Sequence, residues 1–191
     1  MNVYDFDKTI YSSDASVDFF LFCLKHKKST RWMLPKLAVY TFAFAFKLIS
    51  IKRYKQEFFA FTKILDDTDA YVKRFWNENK SKIYPWYIEK KNKSDIIISA
   101  SPSFLLKPMT DSLEIGKLIA TEYSLSSHKI IGENCKGKEK VNRLRAYDPS
   151  ATIDEFYSDS YSDTPLARLA SQSFLVKNGE LYGWDMKNPT K

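Results

Sequence analysis

A chain of 191 residues suits one compact core with room for an inserted subdomain, and 44% hydrophobic with 16% aromatic content excludes a disordered or low-complexity protein. The net charge of +7 is unevenly placed: residues 25–93 hold 17 Lys and Arg against 6 Asp and Glu, and the remainder is net acidic. That asymmetry points to an anionic partner (phosphorylated substrate, anionic lipid or nucleic acid) or to a solvated basic face. Cys23 and Cys135 fit neither a zinc site nor a disulfide framework. Read as free thiols, and with no secretion leader ahead of them, they place the chain in the cytoplasm, with a peripheral membrane location as the alternative.

Residues 2–6 read as a short strand running into Asp7-Lys8-Thr9. Residues 14–93 carry helical periodicity instead. Val17, Phe20, Leu21 and Leu24 share one face, as do Tyr54, Phe58, Phe61 and Leu65. Asp66 to Asp69 break one helix and cap the next, over 70–80. This stretch is expected to be an insert of three to five helices. Within it, Leu37–Phe46 is a ten-residue apolar run bounded by Lys36 and Lys47. A spanning helix needs about 20 apolar residues, and extending the run takes in Pro35 and both lysines. A buried helix of the insert is the first expectation, and a helix lying on a membrane surface is the second.

Beyond the insert, Asp95–Ser99 is an apolar run of buried-strand type. A helix follows over 103–112, a strand over 117–123, a short hairpin over 128–135 and a helix over 138–147. Residues 153–158 read as a strand and 164–171 as a helix. Short strands at 174–176 and 181–184 flank the turn Asn178-Gly179. Strands alternating with helices imply an α/β fold: a Rossmann-like parallel sheet flanked by helices, with the helical insert after the first strand. In such sheets chemistry gathers at the carboxyl ends of the strands. Asp5, Ser99 and Asp159 each end a strand, so three polar residues far apart in sequence fall along one edge.

Phosphate-ester hydrolysis needs an in-line nucleophile, a proton donor for the leaving oxygen and cations for the phosphoryl charge. Carboxylates can serve as nucleophile, acid/base and magnesium ligand. Asp5-Phe6-Asp7-Lys8-Thr9-Ile10 resembles the first motif of the haloacid dehalogenase superfamily. Ser99-Ala100-Ser101-Pro102 resembles the second, Gly137-Lys138-Glu139-Lys140-Val141 the third, and the Asp159 and Asp163 pair of Tyr157–Asp163 the fourth. All four occur in order. The insert is similar to the type-one cap of the phosphoserine phosphatase-like branch, which divides the chain into a core of 1–13 and 92–191 and a cap of 14–91.

The resemblance implies a Mg²⁺-dependent phosphatase acting through an aspartyl-phosphate on a small phosphorylated metabolite. Asp5 would be the nucleophile and Asp7 the acid/base. Ser99, Ala100 and Lys140 would hold the phosphoryl group, with Ser101 as rival to Ser99, and Lys136 and Lys138 as rivals to Lys140. Asp5, Asp7 (through its backbone carbonyl) and Asp159 would bind the metal. Asp163 would serve the metal's outer shell, orient the lysine or act as a helix N-terminal residue. Phosphoserine phosphatases carry a Glu where this chain has Asp14, nine residues after Asp5. Arg31, Arg53 and Arg74 are candidate substrate cations, and Arg53 is taken with Asp14 as substrate-binding. The basic, aromatic insert suggests two alternatives: a lipid-phosphate phosphatase resembling those for phosphatidylglycerophosphate, and a non-catalytic anion- or membrane-binding module. Trp76, Tyr84, Trp86 and Tyr87 among lysines could stack nucleic-acid bases, but aromatics at helical spacing belong more often to a core. His26 and His128 lie outside every motif and read as structural.

Overall fold

A computed structural model describes residues 1–186. The central strand β1 (Val3–Tyr4) is fully buried, as expected of a strand covered on both faces. Five α-helices separate it from the next strand: α1 (Ala15–His26), α2 (Leu34–Ala45), α3 (Ile51–Phe58), α4 (Thr68–Asn79) and α5 (Pro85–Lys90). Then follow β2 (Ile96–Pro102), α6 (Ser103–Ser112), β3 (Lys117–Ser124), β4 (Lys129–Ile131), α7 (Lys138–Tyr147) and β5 (Ile153–Ser158). The short α8 (Thr164–Ala167), β6 (Ala170–Lys177) and β7 (Glu180–Gly183) complete the described chain. The sheet order is β4-β3-β2-β1-β5-β6-β7. The inner strands are parallel, and the edge strands β4 and β7 pair antiparallel.

Asp14, Ser50 and Asp67 cap α1, α3 and α4 by accepting backbone N–H groups, which satisfies donors that a helix start leaves orphaned. Phe19, Phe59, Phe61 and Phe75 form the heart of the insert. That cluster runs without a break into the sheet core through Trp76, whose ring meets Phe6 at 5.8 Å and Tyr11 at 5.4 Å. The Trp76 indole N–H donates to the carbonyl of Leu105 at 2.6 Å. The insert is thereby packed against the strand-end loop that carries Asp5 and Asp7. Trp76 and Tyr87 are core residues, and Tyr4 stacks on Tyr157 beneath Trp86. These rings are spent on packing rather than offered to bases.

Three expectations are corrected. The strand expected over 95–99 continues to Pro102, because β2 keeps pairing with β3 across a register shift between Ser99 and Pro102. The helix expected over 164–171 stops at Ala167. Residues from Ala170 onward pair with β5, and that ladder outweighs the weak strand preference of Ala-Ser-Gln-Ser. Finally, α2 is not a buried helix: none of its residues is buried.

Candidate active site

The functional side chains converge at the carboxyl edge of β1, β2 and β5, around a cleft of about 330 Å³. Asp5 follows β1 directly, its N–H donating to the carbonyl of Tyr157 at 2.8 Å. Its Oδ1 accepts from the backbone N–H of Phe6 at 2.8 Å and from Lys140 Nζ at 2.9 Å, which fixes the carboxylate's rotation. After Asp5 the chain folds into a tight loop in which the N–H groups of Thr9, Ile10 and Tyr11 all point to the carbonyl of Phe6. Lys8 takes a positive φ of 54° there. The loop turns Asp7 back into the cleft. Its Oδ1 accepts from Ala15 N–H at 2.7 Å and its Oδ2 from the Ser101 hydroxyl at 2.5 Å.

Lys140 enters from the first turn of α7. Gly137 opens that helix at φ 58°, in the left-handed region, where a Cβ would stand 3.2 Å from the carbonyl of Ser162. The lysine is 1% exposed and bridges two carboxylates: Asp5 at 2.9 Å and Asp163 Oδ2 at 2.6 Å. Burial pulls its pKa down, but Asp5 and Asp163 overcome that and hold it well above the ordinary lysine value. Lys136 lines the cleft, and Lys138 is exposed and does not. Asp163 Oδ2 also accepts from Ser158 Oγ at 2.9 Å, while its buried Oδ1 has no hydrogen-bond partner among the described residues. Asp159 is tied to the first loop through its N–H, which donates to Thr9 Oγ1 at 2.9 Å.

The local electrostatics are acid-rich. Burial pushes Asp7 up to about 7, with repulsion from Asp14 adding to it and hydrogen bonds from Ser101 and Ala15 opposing it. Burial, then Asp5 and Asp163, push Asp159 up to about 6. Burial likewise raises Asp5 against the pull of Lys140. The folded state of the metal-free protein therefore keeps protons that the unfolded chain has already lost. Stability contributed by such groups falls as pH rises from about 4 towards 7. With EDTA present, Asp7→Asn should lose less stability than the parent between pH 5 and pH 8, as read by the denaturant midpoint. An equal loss would mean that Asp7 does not carry the shift.

Among the described residues, no three His, Cys, Asp or Glu side chains form a metal cage by themselves. The donors nevertheless fit Mg²⁺, which takes hard oxygen ligands, keeps several waters and needs only one or two carboxylates. Three carboxylates, those of Asp5, Asp159 and Asp163, face a single buried ammonium, so the centre lacks positive charge. The unpartnered Asp163 Oδ1 is a ready acceptor for a metal-bound water.

The second loop departs from expectation. Ser99 is fully buried, its Oγ accepts from Ser101 N–H at 3.1 Å, and it does not line the cleft. Ala100 and Ser101 do line it. The longer β2 carries the strand end forward, so the hydroxyl presented next to Asp7 is that of Ser101. Arg53 is exposed and turned to Tyr40 and Glu57 rather than into the cleft, and Arg74 pairs with Glu78. The cation from the insert is Lys55, which sequence reasoning missed. Its Nζ donates to the carbonyl of Ala100 at 2.7 Å and to Asn134 Oδ1 at 2.8 Å, and burial lowers it to about 8. A signal was available: Ile51, Tyr54, Lys55 and Phe58 share one helical face, and all four line the cleft. Asp14 lines the cleft too, although its Oδ1 also caps α1 through Val17 N–H at 3.0 Å.

A parallel α/β sheet with paired aspartates after β1, a buried lysine from α7 and two aspartates after β5 defines a class of hydrolase scaffold. Residues 3–168 match the haloacid dehalogenase-like hydrolase family, and the chain belongs to that family. It is similar to Protein CicA of Caulobacter vibrioides, at 26% identity over 88% of this chain and 82% of that protein. Among solved structures, a protein of unknown function from Bordetella pertussis Tohama I superposes with a TM-score of 0.75 at 15% identity, covering 91% of this chain and 87% of the other. A probable phosphoserine phosphatase from Vibrio cholerae superposes with a TM-score of 0.66 at 10% identity, covering 90% of this chain and 55% of the other. At such identities these two likenesses speak for the shared fold.

Proposed function

We propose that this hydrolase is a Mg²⁺-dependent phosphomonoesterase that passes the phosphoryl group through an aspartyl-phosphate on Asp5 and acts on a small phosphorylated metabolite. The observation that carries the reading is the buried Asp5–Lys140–Asp163 bridge beside a second carboxyl, Asp7, whose pKa stands near neutrality. A carboxyl poised there can give and take a proton at physiological pH. In the first step the Asp5 carboxylate attacks phosphorus, the bond to the leaving oxygen breaks, and Asp7 protonates that oxygen. In the second, water attacks the aspartyl-phosphate, Asp7 takes its proton, and phosphate leaves with Asp5 restored. Lys140 would neutralise the phosphoryl oxygens, and its charge favours the ionised form of Asp5 against the effect of burial. Ser101 and Ala100, which line the cleft, would hold the same oxygens through the Ser101 hydroxyl and backbone N–H groups. Mg²⁺, held by Asp5, Asp159 and the backbone carbonyl of Asp7 with Asp163 behind its waters, would offset the remaining phosphoryl charge.

Asp14 at the start of α1 and Lys55 of α3 line the same cleft, and we take them as the groups that meet the organic part of a substrate. Lys55→Met is expected to raise KM by about tenfold while leaving kcat largely unchanged, as loss of uniform binding does. A fall in kcat with constant KM would instead place Lys55 at the chemistry. The reading as a whole is tested by hydrolysis of an aryl phosphate, with Mg²⁺ and then with EDTA. Turnover indifferent to EDTA would contradict it.

A further inference from the structure

α2 is apolar except for Lys36, Tyr40 and Thr41, yet only one side of it is covered. Leu37 packs on the core of the insert, Phe44 stacks on Tyr54 of α3 at 4.9 Å, and the Tyr40 hydroxyl accepts from Arg53 at 3.4 Å. The opposite side presents Leu34, Ala38, Val39, Phe42 and Phe46, the spacing of a single helical face. Val39, Phe42 and Phe46 are 67%, 61% and 63% exposed. Trp32 before the helix (85%) and Leu48 after it (73%) extend the patch. A surface helix of a globular protein turns polar residues outward, whereas α2 turns its apolar face outward.

The charge around this face is predominantly positive, although Glu57 of α3 pairs with Lys36 at 2.7 Å and with Arg53 at 2.9 Å. Residues 26–56 contain eight Lys and Arg and no Asp or Glu. Lys28, Arg31, Lys36 and Lys47 are exposed at its rim. Lys47 stands at the left-handed position that ends α2 (φ 57°), a site that favours glycine, and there it carries its charge beside Phe46. Packing a second copy of the chain against this face would set two cationic rims together, whereas an anionic surface complements them. A 12-residue helix is about 18 Å long, too short to span a bilayer but long enough to lie along one. No helix among the described residues is long and apolar enough to cross a membrane.

We infer that the outer face of α2 docks on an anionic lipid bilayer, with its apolar side chains at the headgroup–acyl boundary and its lysines and arginines among the headgroups. It is the covered side of α2 that reaches towards the cleft: Tyr54, the ring that Phe44 stacks on, is a cleft residue. Binding to a bilayer is independent of the reaction proposed above and is measured without substrate.

The test is co-sedimentation of the full chain with vesicles of phosphatidylcholine alone or mixed with phosphatidylglycerol, at low and high salt. Binding is expected with the mixed vesicles at low salt and should weaken with salt and with neutral vesicles. A Val39→Ser/Phe42→Ser/Phe46→Ser protein, altered only at exposed positions and checked for fold by circular dichroism, should lose most binding. A Lys28→Glu/Arg31→Glu/Lys47→Glu protein should bind more weakly by on the order of a hundredfold or more, from roughly fivefold for each cation lost near an anionic surface. No sedimentation of the parent, or equal sedimentation of the serine variant, overturns the proposal. So does a dimer in light scattering that the serine variant dissolves, because the face would then belong to a second copy.

Discussion

Asp5→Asn should leave a folded protein whose Mg²⁺-dependent hydrolysis of an aryl phosphate is reduced by at least about 10⁴-fold. At ~1.36 kcal/mol per tenfold, that is about 5.4 kcal/mol of lost transition-state stabilisation. The amide keeps the shape of the carboxylate and its oxygen can still accept from Phe6 N–H and from Lys140. Asp163 remains as the lysine's carboxylate partner, so the buried cation is not left uncompensated. What disappears is the nucleophile, since an amide does not form the acyl phosphate. Parallel circular dichroism would show the fold retained. Turnover by the asparagine protein equal to that of the parent would end the covalent mechanism. If the parent itself were inactive on the aryl probe, a panel of phosphorylated metabolites would be needed, because Lys55, Asp14 and the aromatic wall of α3 can reject a poor fit.

Lys140→Met should be the costliest single change to stability near the site. Methionine fills much of the lysine stem's volume, so the effect is one of charge and not of a cavity. Asp5 and Asp163 would be left buried without their cation, and breaking a buried pair in this way costs about 3–5 kcal/mol. At about 2–4 °C per kcal/mol for a domain of this size, Tm should fall by roughly 10 °C at pH 8. The loss should be smaller at pH 5, where the orphaned carboxylates can take up protons. Adding Asp5→Asn to Lys140→Met should recover part of the stability, since the cycle removes one of the stranded charges. A Lys140→Met protein as stable as the parent at both pH values would show that the bridge contributes nothing to the fold.

The four motifs, their order and the alternation of strands with helices are properties of local sequence, and they carried the family, the sheet and the roles expected of Asp5, Asp7 and Asp159. A strand buried on both faces has to be an apolar run, and chemistry gathers at such strand ends, so periodicity pointed to the edge where Asp5 and Asp159 line the cleft, though not to the right hydroxyl after β2. The aspartates of the last motif were legible by spacing. That Lys140 pairs with Asp5 and is oriented by Asp163 was implied by the family resemblance alone and not by spacing, because the three come from separate elements brought together only by sheet order.

Elsewhere the tertiary structure decided. The end of β2 moved from Ser99 to Pro102 because pairing with β3, a contact distant in sequence, sets where a strand stops. With it moved the hydroxyl that faces Asp7. The start of β6 was hidden for the same reason: Ala170 to Ser173 are poor strand formers, held by β5 alone on the parallel side. Lys55 and Arg53 are two residues apart in one helix, and only the orientation of α3 against the sheet determines which cation reaches the cleft. The apolar character of α2 was plain in the sequence. Hydrophobicity states what a segment must avoid, however, and not which surface will cover it; only the packed insert left that face towards solvent.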